Sequence, residues 1–185
     1  MRGTSVIFPD YTFYSNAQLL TAYVEGPQRM RRAIEGLSEE ELRTRSRGAD
    51  RWSIHEIILH SADSEVQGTL RIRKVWAEPS PLLPYSDQDA WARELAYASE
   101  GREARECALS LLALLRQHTV RLFERATPGD WAKVGTHPEY GEVTLRNLLE
   151  LYADHSERHL EQILEARRLL GRTLTMSSLL PRRLY

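Results

Sequence analysis

The chain has 185 residues, enough for a single domain with a sizeable core. Hydrophobic residues make up 42% and charged residues 28%, the proportions of an ordinary soluble globular protein. With 25 basic and 26 acidic residues the formal net charge is −1, which leaves no electrostatic footprint for nucleic acid or an anionic membrane.

The opening MRGTSVIFPD lacks the continuous apolar stretch of a signal peptide. No apolar run approaches the length of about 18 residues that spans a bilayer. A cytoplasmic protein is the expectation. Helical periodicity then dominates. A first helix is predicted from about Asn16 to Leu37, with Gly26-Pro27 inside it as a point of kinking or splitting. Its Arg29, Arg31 and Arg32, like Pro181-Arg-Arg in the tail, read as solvated faces. A second helix starts at Ser53, whose capping-box partner is Glu56, and runs to Trp76 or Ala77 before a proline-rich break. Ile54, Ile57, Ile58 and Val66 predict a broad buried face on it. A short helix from Gln88 to Tyr97 precedes a third long one, from Arg102 to Ala126. There Cys107, the only cysteine and so excluded from an intrachain disulfide, reads as a small buried hydrophobe. The fourth helix begins near Thr144 and ends at Gly171, with Arg167 and Arg168 in its last turn.

No segment shows sustained alternation, so strands are not expected. The predicted fold is all-α, a four-helix bundle with long crossover connections. It is one domain over residues 1–185, with the core at about 16–170 and a tail or surface strap from 171. Leu179 and Leu180 in that tail are apolar residues that a homodimer could use.

Six histidines are candidates for chemistry. His155 and His159, in ADHSERHLEQ, project from one helical face a turn apart, and two neutral imidazoles at that spacing can share a cation. Zinc needs a third protein ligand, and His60, at the edge of the second helix's apolar face, is the candidate. Taken singly, His60 reads equally as a hydrogen-bonded core histidine, and the His155/His159 pair as structural or exposed. His55, in a first helical turn, and His118, among Arg116, Gln117 and Arg121, read as exposed. His137 lies in a loop that could cover a site between helices.

Four stretches in order resemble the DinB/YfiT-like superfamily of metalloenzymes, in its second DinB subgroup. They are GPQRMRRAIEGLSEEELRTR, RWSIHEIILHSADSE, PYSDQDAWA and THPEYGEVTLRNLLELYADHSERHLEQI. The likeness covers roughly Asn16 to Leu170. It implies an up-down-down-up bundle and one divalent metal held by His60, His155 and His159. Zinc is the first choice, and nickel, manganese or iron suit the same imidazole set. Three histidines leave a coordination position open, the pattern of catalytic rather than structural zinc.

Asp63 first, then Glu56, are candidates to orient a ligating imidazole or move a proton. Asp154 and Glu157 flank the fourth-helix pair, and Tyr152 reads as core or pocket wall. Each acid reads equally well as an exposed helical residue. The expected activity is hydrolysis of a small molecule or transfer of a low-molecular-weight thiol, with the loops at 79–89 and 130–143 choosing the substrate. The alternative is a non-catalytic metal-binding bundle, a stress-linked binding or dimerisation module. An open metal position facing a solvent-connected pocket separates the two.

Overall fold

A computed structural model describes residues 11–45 and 52–181. The opening MRGTSVIFPD and the Arg182–Arg183 pair lie outside the described residues. Four long helices carry the fold: α1 (Asn16–Ile34), α3 (Ile54–Ala77), α5 (Arg102–Glu124) and α7 (Leu145–Leu169). The short α2 (Glu39–Arg43), α4 (Gln88–Glu94) and α6 (Pro128–Trp131) sit in the connections. Ser15, Ser53 and Thr144 open α1, α3 and α7 with capping boxes, so backbone donors that helix starts leave orphaned are satisfied locally. Gly171, at φ +71°, closes α7 in the left-handed conformation that glycine adopts at least cost.

The helices run up-down-down-up, and individual bonds show it. Arg105 of α5 reaches His55 near the start of α3, and Arg73 of α3 reaches Thr119 near the end of α5, so these two are parallel. Arg146 meets Asn16 at one end of the α1–α7 pair and Arg167 meets the Ala33 carbonyl at the other, so these are parallel too. Arg116 bonds the Tyr23 carbonyl while Arg31 bonds Glu106, which makes α1 and α5 antiparallel. Each long helix packs on two neighbours, with α1 facing α3 across the bundle.

The apolar core has two parts, one around Tyr23, Ile72, Leu148 and Tyr152, the other around Met30, Ile58, Leu112 and Ile163. Between them lies a buried polar layer. Arg116 pairs with Glu65 at 2.8 Å, and Tyr23 donates its hydroxyl to the same carboxylate at 2.5 Å. Arg116 also donates to the carbonyls of Tyr23 and Tyr152, so a single guanidinium ties α5 to α1, α3 and α7.

Several expectations need correction. A two-stranded antiparallel hairpin, β1 (Val134–His137) and β2 (Gly141–Thr144), stands where no strand was expected. Four residues per strand are too few to show alternation, and the pairing is completed from elsewhere. Thr136 exchanges backbone bonds with Pro81 and Leu83 of the α3–α4 connection. Gly135 permits that approach, because a Cβ there would lie 2.8 Å from Val75 Cγ2.

Arg116 is fully buried rather than on the surface, His55 is buried, and Cys107 and Val66 are exposed. Helix α5 buries the face carrying Arg105, Leu109, Leu112 and Arg116, which turns Cys107 outward. α1 stays one α-helix through Pro27. The tail is a strap: Ser178 and the Leu179 amide bond Glu157, Leu180 is buried in the core, and Leu179 is half-buried against it. No helix among the described residues is long and apolar enough to cross a membrane.

Candidate metal centre

The site forms where α3 crosses α7. Ser53 fixes where α3 begins, and two turns on, His60 points at the antiparallel α7, with Trp52 packed on its ring at 4.4 Å. His155 and His159 project from α7 a turn apart. The His155 Nε2 lies 3.1 Å from the Nε2 of both His60 and His159. One ligating nitrogen from each ring lies within 4.8 Å of the others. A tetrahedral zinc at about 2.0–2.1 Å from each nitrogen would place its ligands roughly 3.4 Å apart, close to this spacing.

Proton accounting favours a cation. Burial pushes His60 down to about 3 and His159 down to about 4, and it holds His155 well below the usual histidine range. All three rings are therefore neutral near pH 7. His159 Nδ1 donates to the Gln162 carbonyl oxygen at 2.8 Å, which leaves its Nε2 a bare lone pair. His155 Nε2 cannot make a linear hydrogen bond to both neighbours with one proton. A metal ion satisfies all three lone pairs at once, so the residues present fit a divalent ion.

His60 and His155 also line a cavity of about 380 Å³. Its α3 wall carries Asp63, Gln67 and Arg71 at helical spacing, and the α3–α4 connection and the hairpin supply Tyr85, Ser86, His137 and Tyr140. Tyr97 donates its hydroxyl to Asp63 Oδ2 at 2.5 Å. Burial, then that bond, pushes the phenol well up, so it stays a donor. His55 holds Tyr97 in place: its Nε2–H donates to the Tyr97 carbonyl at 3.1 Å.

Glu56 is not brought to the cavity. It is buried, and it accepts from the Ser53 amide and hydroxyl and from Arg45. Asp154 is occupied by Tyr11 and Arg158, and Glu157 by the tail. Tyr97, Gln162 and Arg71 were not singled out by sequence reasoning. Gln162 sits inside the quoted ADHSERHLEQ, three residues after a candidate ligand, which was signal enough.

Fold and site together define a four-helix bundle with a three-histidine cluster at a helix crossing, open to a cavity. The model of the DinB superfamily matches residues 22–163, and the chain belongs to that family. A Bacillus licheniformis relative is 30% identical over 149 residues, covering 80% of this chain and 82% of its own. An Oceanobacillus iheyensis relative is 27% identical over 137 residues, covering 74% and 77%. YfiT of Bacillus subtilis is 28% identical over 152 residues, covering 80% and 81%. All three are named "Putative metal-dependent hydrolase". The YfiT structure superposes with a TM-score of 0.79 at 24% identity, covering 88% of this chain and 93% of that one, and is described as having "an unusual four-helix bundle topology".

Proposed function

We propose that this protein is a metal-dependent enzyme in which His60, His155 and His159 hold one divalent ion, with zinc the first candidate. The observation that carries the reading is the cavity beside the three nitrogens, because a purely structural site needs no such opening. A bound ion would supply Lewis-acid activation of a water or of a thiol. Asp63 is the proton carrier. Its Oδ2 is fixed by Tyr97, and its Oδ1 has no protein partner among the described residues. Glu56 acts at a distance, by anchoring the start of the helix that presents His60. Gln162 holds His159 in the ligating tautomer.

The reaction is hydrolysis of a small molecule, in keeping with the names of the relatives. Transfer of a low-molecular-weight thiol uses the same open position and is the second reaction to screen. The test is turnover of ester, amide and thiol-transfer substrates by zinc-loaded protein. Asp63→Asn should lower kcat by roughly 10²–10⁴, the usual worth of a general acid or base, with the metal still bound. Unchanged turnover in Asp63→Asn would remove it from the mechanism.

A further inference from the structure

Four arginines are buried among the described residues, and three have evident compensation. Arg105 pairs with Glu39 at 2.5 Å and Arg116 with Glu65 at 2.8 Å. Arg167 lies at the C-terminal end of α1, bonding the Ala33 and Glu35 carbonyls, where the helix dipole favours a cation.

Arg71 is the exception. It is 7% exposed, and no carboxylate pairs with it among the described residues. Its Nε and Nη2 donate to the Pro84 carbonyl at 3.1 and 2.6 Å, and its Nη1 to the Tyr152 hydroxyl at 2.9 Å. A guanidinium has five N–H donors, so N–H groups remain after these bonds. A buried charge without a counterion is costly, and such groups are normally paired.

Arg71 lines the cavity, and a second group there is also short of a partner. His137 is 2% exposed. Its Nδ1 accepts from the Glu139 amide at 3.2 Å, which places the ring proton on Nε2, and Nε2 has no partner. A buried cation and a buried N–H donor thus line one cavity, and burial, then the nearby Arg71, lowers the His137 pKa.

We propose that the Arg71 end of the cavity is an anion subsite, taking the carboxylate of an extended substrate whose reacting group lies at the histidine end. Only the position of the reacting group rests on the metal-site reading above. One unpaired buried cation, Arg71, suits a monoanion. The other cation lining the cavity, Arg158, is already paired with Asp154 at 2.8 Å. Four acids also line the cavity, Asp63 three residues from His60 and the exposed Asp87, Asp89 and Glu139, and they disfavour a dianion. Arg71 lies eleven residues after His60 on α3, roughly 16 Å of helical rise, so charge and reacting bond sit at opposite ends of the molecule.

The test is titration of the full chain with acetate and with its neutral isostere acetamide, followed by the side-chain 15N signals of His137. Acetate should bind saturably and shift the Nε2 signal, with acetamide far weaker. Arg71→Gln keeps an amide for the Pro84 carbonyl and should weaken acetate by roughly 10- to 100-fold, the worth of charge-assisted hydrogen bonds. His137→Phe, followed by tryptophan fluorescence, gives an independent test should Arg71→Gln not fold, and it too should weaken acetate. Equal binding of acetate and acetamide, or full acetate binding by a folded Arg71→Gln protein, overturns the subsite. The titration is repeated on chelator-treated protein and on His155→Ala. Acetate binding that survives there upholds the subsite even if the metal reading fails. Binding seen only with metal present means that acetate was ligating the ion, and the subsite falls.

Discussion

Arg116 donates its Nη1 to the carbonyl oxygen of Tyr23 at 2.7 Å, and that carbonyl is the one Pro27 leaves unserved. A proline inside a helix has no N–H for the carbonyl four residues back. Here a guanidinium from α5 takes its place, and α1 continues unbroken. Gly26 makes the approach possible, since a Cβ there would lie 2.7 Å from the same Nη1.

Arg116→Met leaves Glu65 buried without its cation and three helices without their shared donor. Removing one partner of a buried pair costs on the order of 3–5 kcal/mol. Urea unfolding followed by circular dichroism measures it. Arg116→Met/Glu65→Gln should recover part of the loss, because an amide still accepts from the Tyr23 hydroxyl.

Gly68 is a second point of close approach. A Cβ there would lie 2.5 Å from Tyr152 Cε1, and Tyr152 is buried and holds Arg71. Gly68→Ala gains helix propensity but forces that ring to move. Overpacking of this kind costs about 1–3 kcal/mol. The variant should unfold at lower urea than the parent, and an unchanged midpoint would show that the ring shifts freely.

Gln162→Leu removes the acceptor that fixes the tautomer of His159. Loss of such a supporting bond typically costs 10- to 100-fold in metal affinity. Competition for zinc against a chromophoric chelator reads this directly, and an affinity equal to the parent's would exclude the role.

His55 predicts a pH dependence. Burial, then Arg43 and Arg105, hold its pKa below the usual histidine value. The unfolded chain therefore takes up a proton near pH 6.5, where the folded chain does not. The stability contributed is full above that pH and is lost as pH falls toward the folded value. Urea midpoints of chelator-treated protein at about pH 7.5 and pH 5.5 test it against His55→Gln. The advantage of the parent over the variant should shrink at the lower pH. The other buried histidines are common to both chains and cancel.

Much of the bundle was legible in the chain because its signals are local. Ser53 with Glu56, Thr144, and Gly171 mark helix ends within a few residues of themselves. The likeness of RWSIHEIILHSADSE and ADHSERHLEQ to family motifs brought His60 to the fourth-helix pair, and their nitrogens do meet. Features set by distant partners were not legible. Arg116 looks like a surface residue until Glu65 and the carbonyls of two other helices surround it. His55 sits in a first turn, yet Tyr97 and Arg105 bury it. The hairpin depends on Pro81 and Leu83, some fifty residues away from it in sequence.

The proposed metal centre rests on His60, His155 and His159 holding one ion together. Metal content of the full chain, purified without a histidine tag, tests it most directly when measured beside His60→Ala/His155→Ala. The parent should hold about one divalent ion per chain and the variant none. No ion in the parent after exposure to zinc, nickel, manganese and iron, or equal content in both proteins, would contradict it.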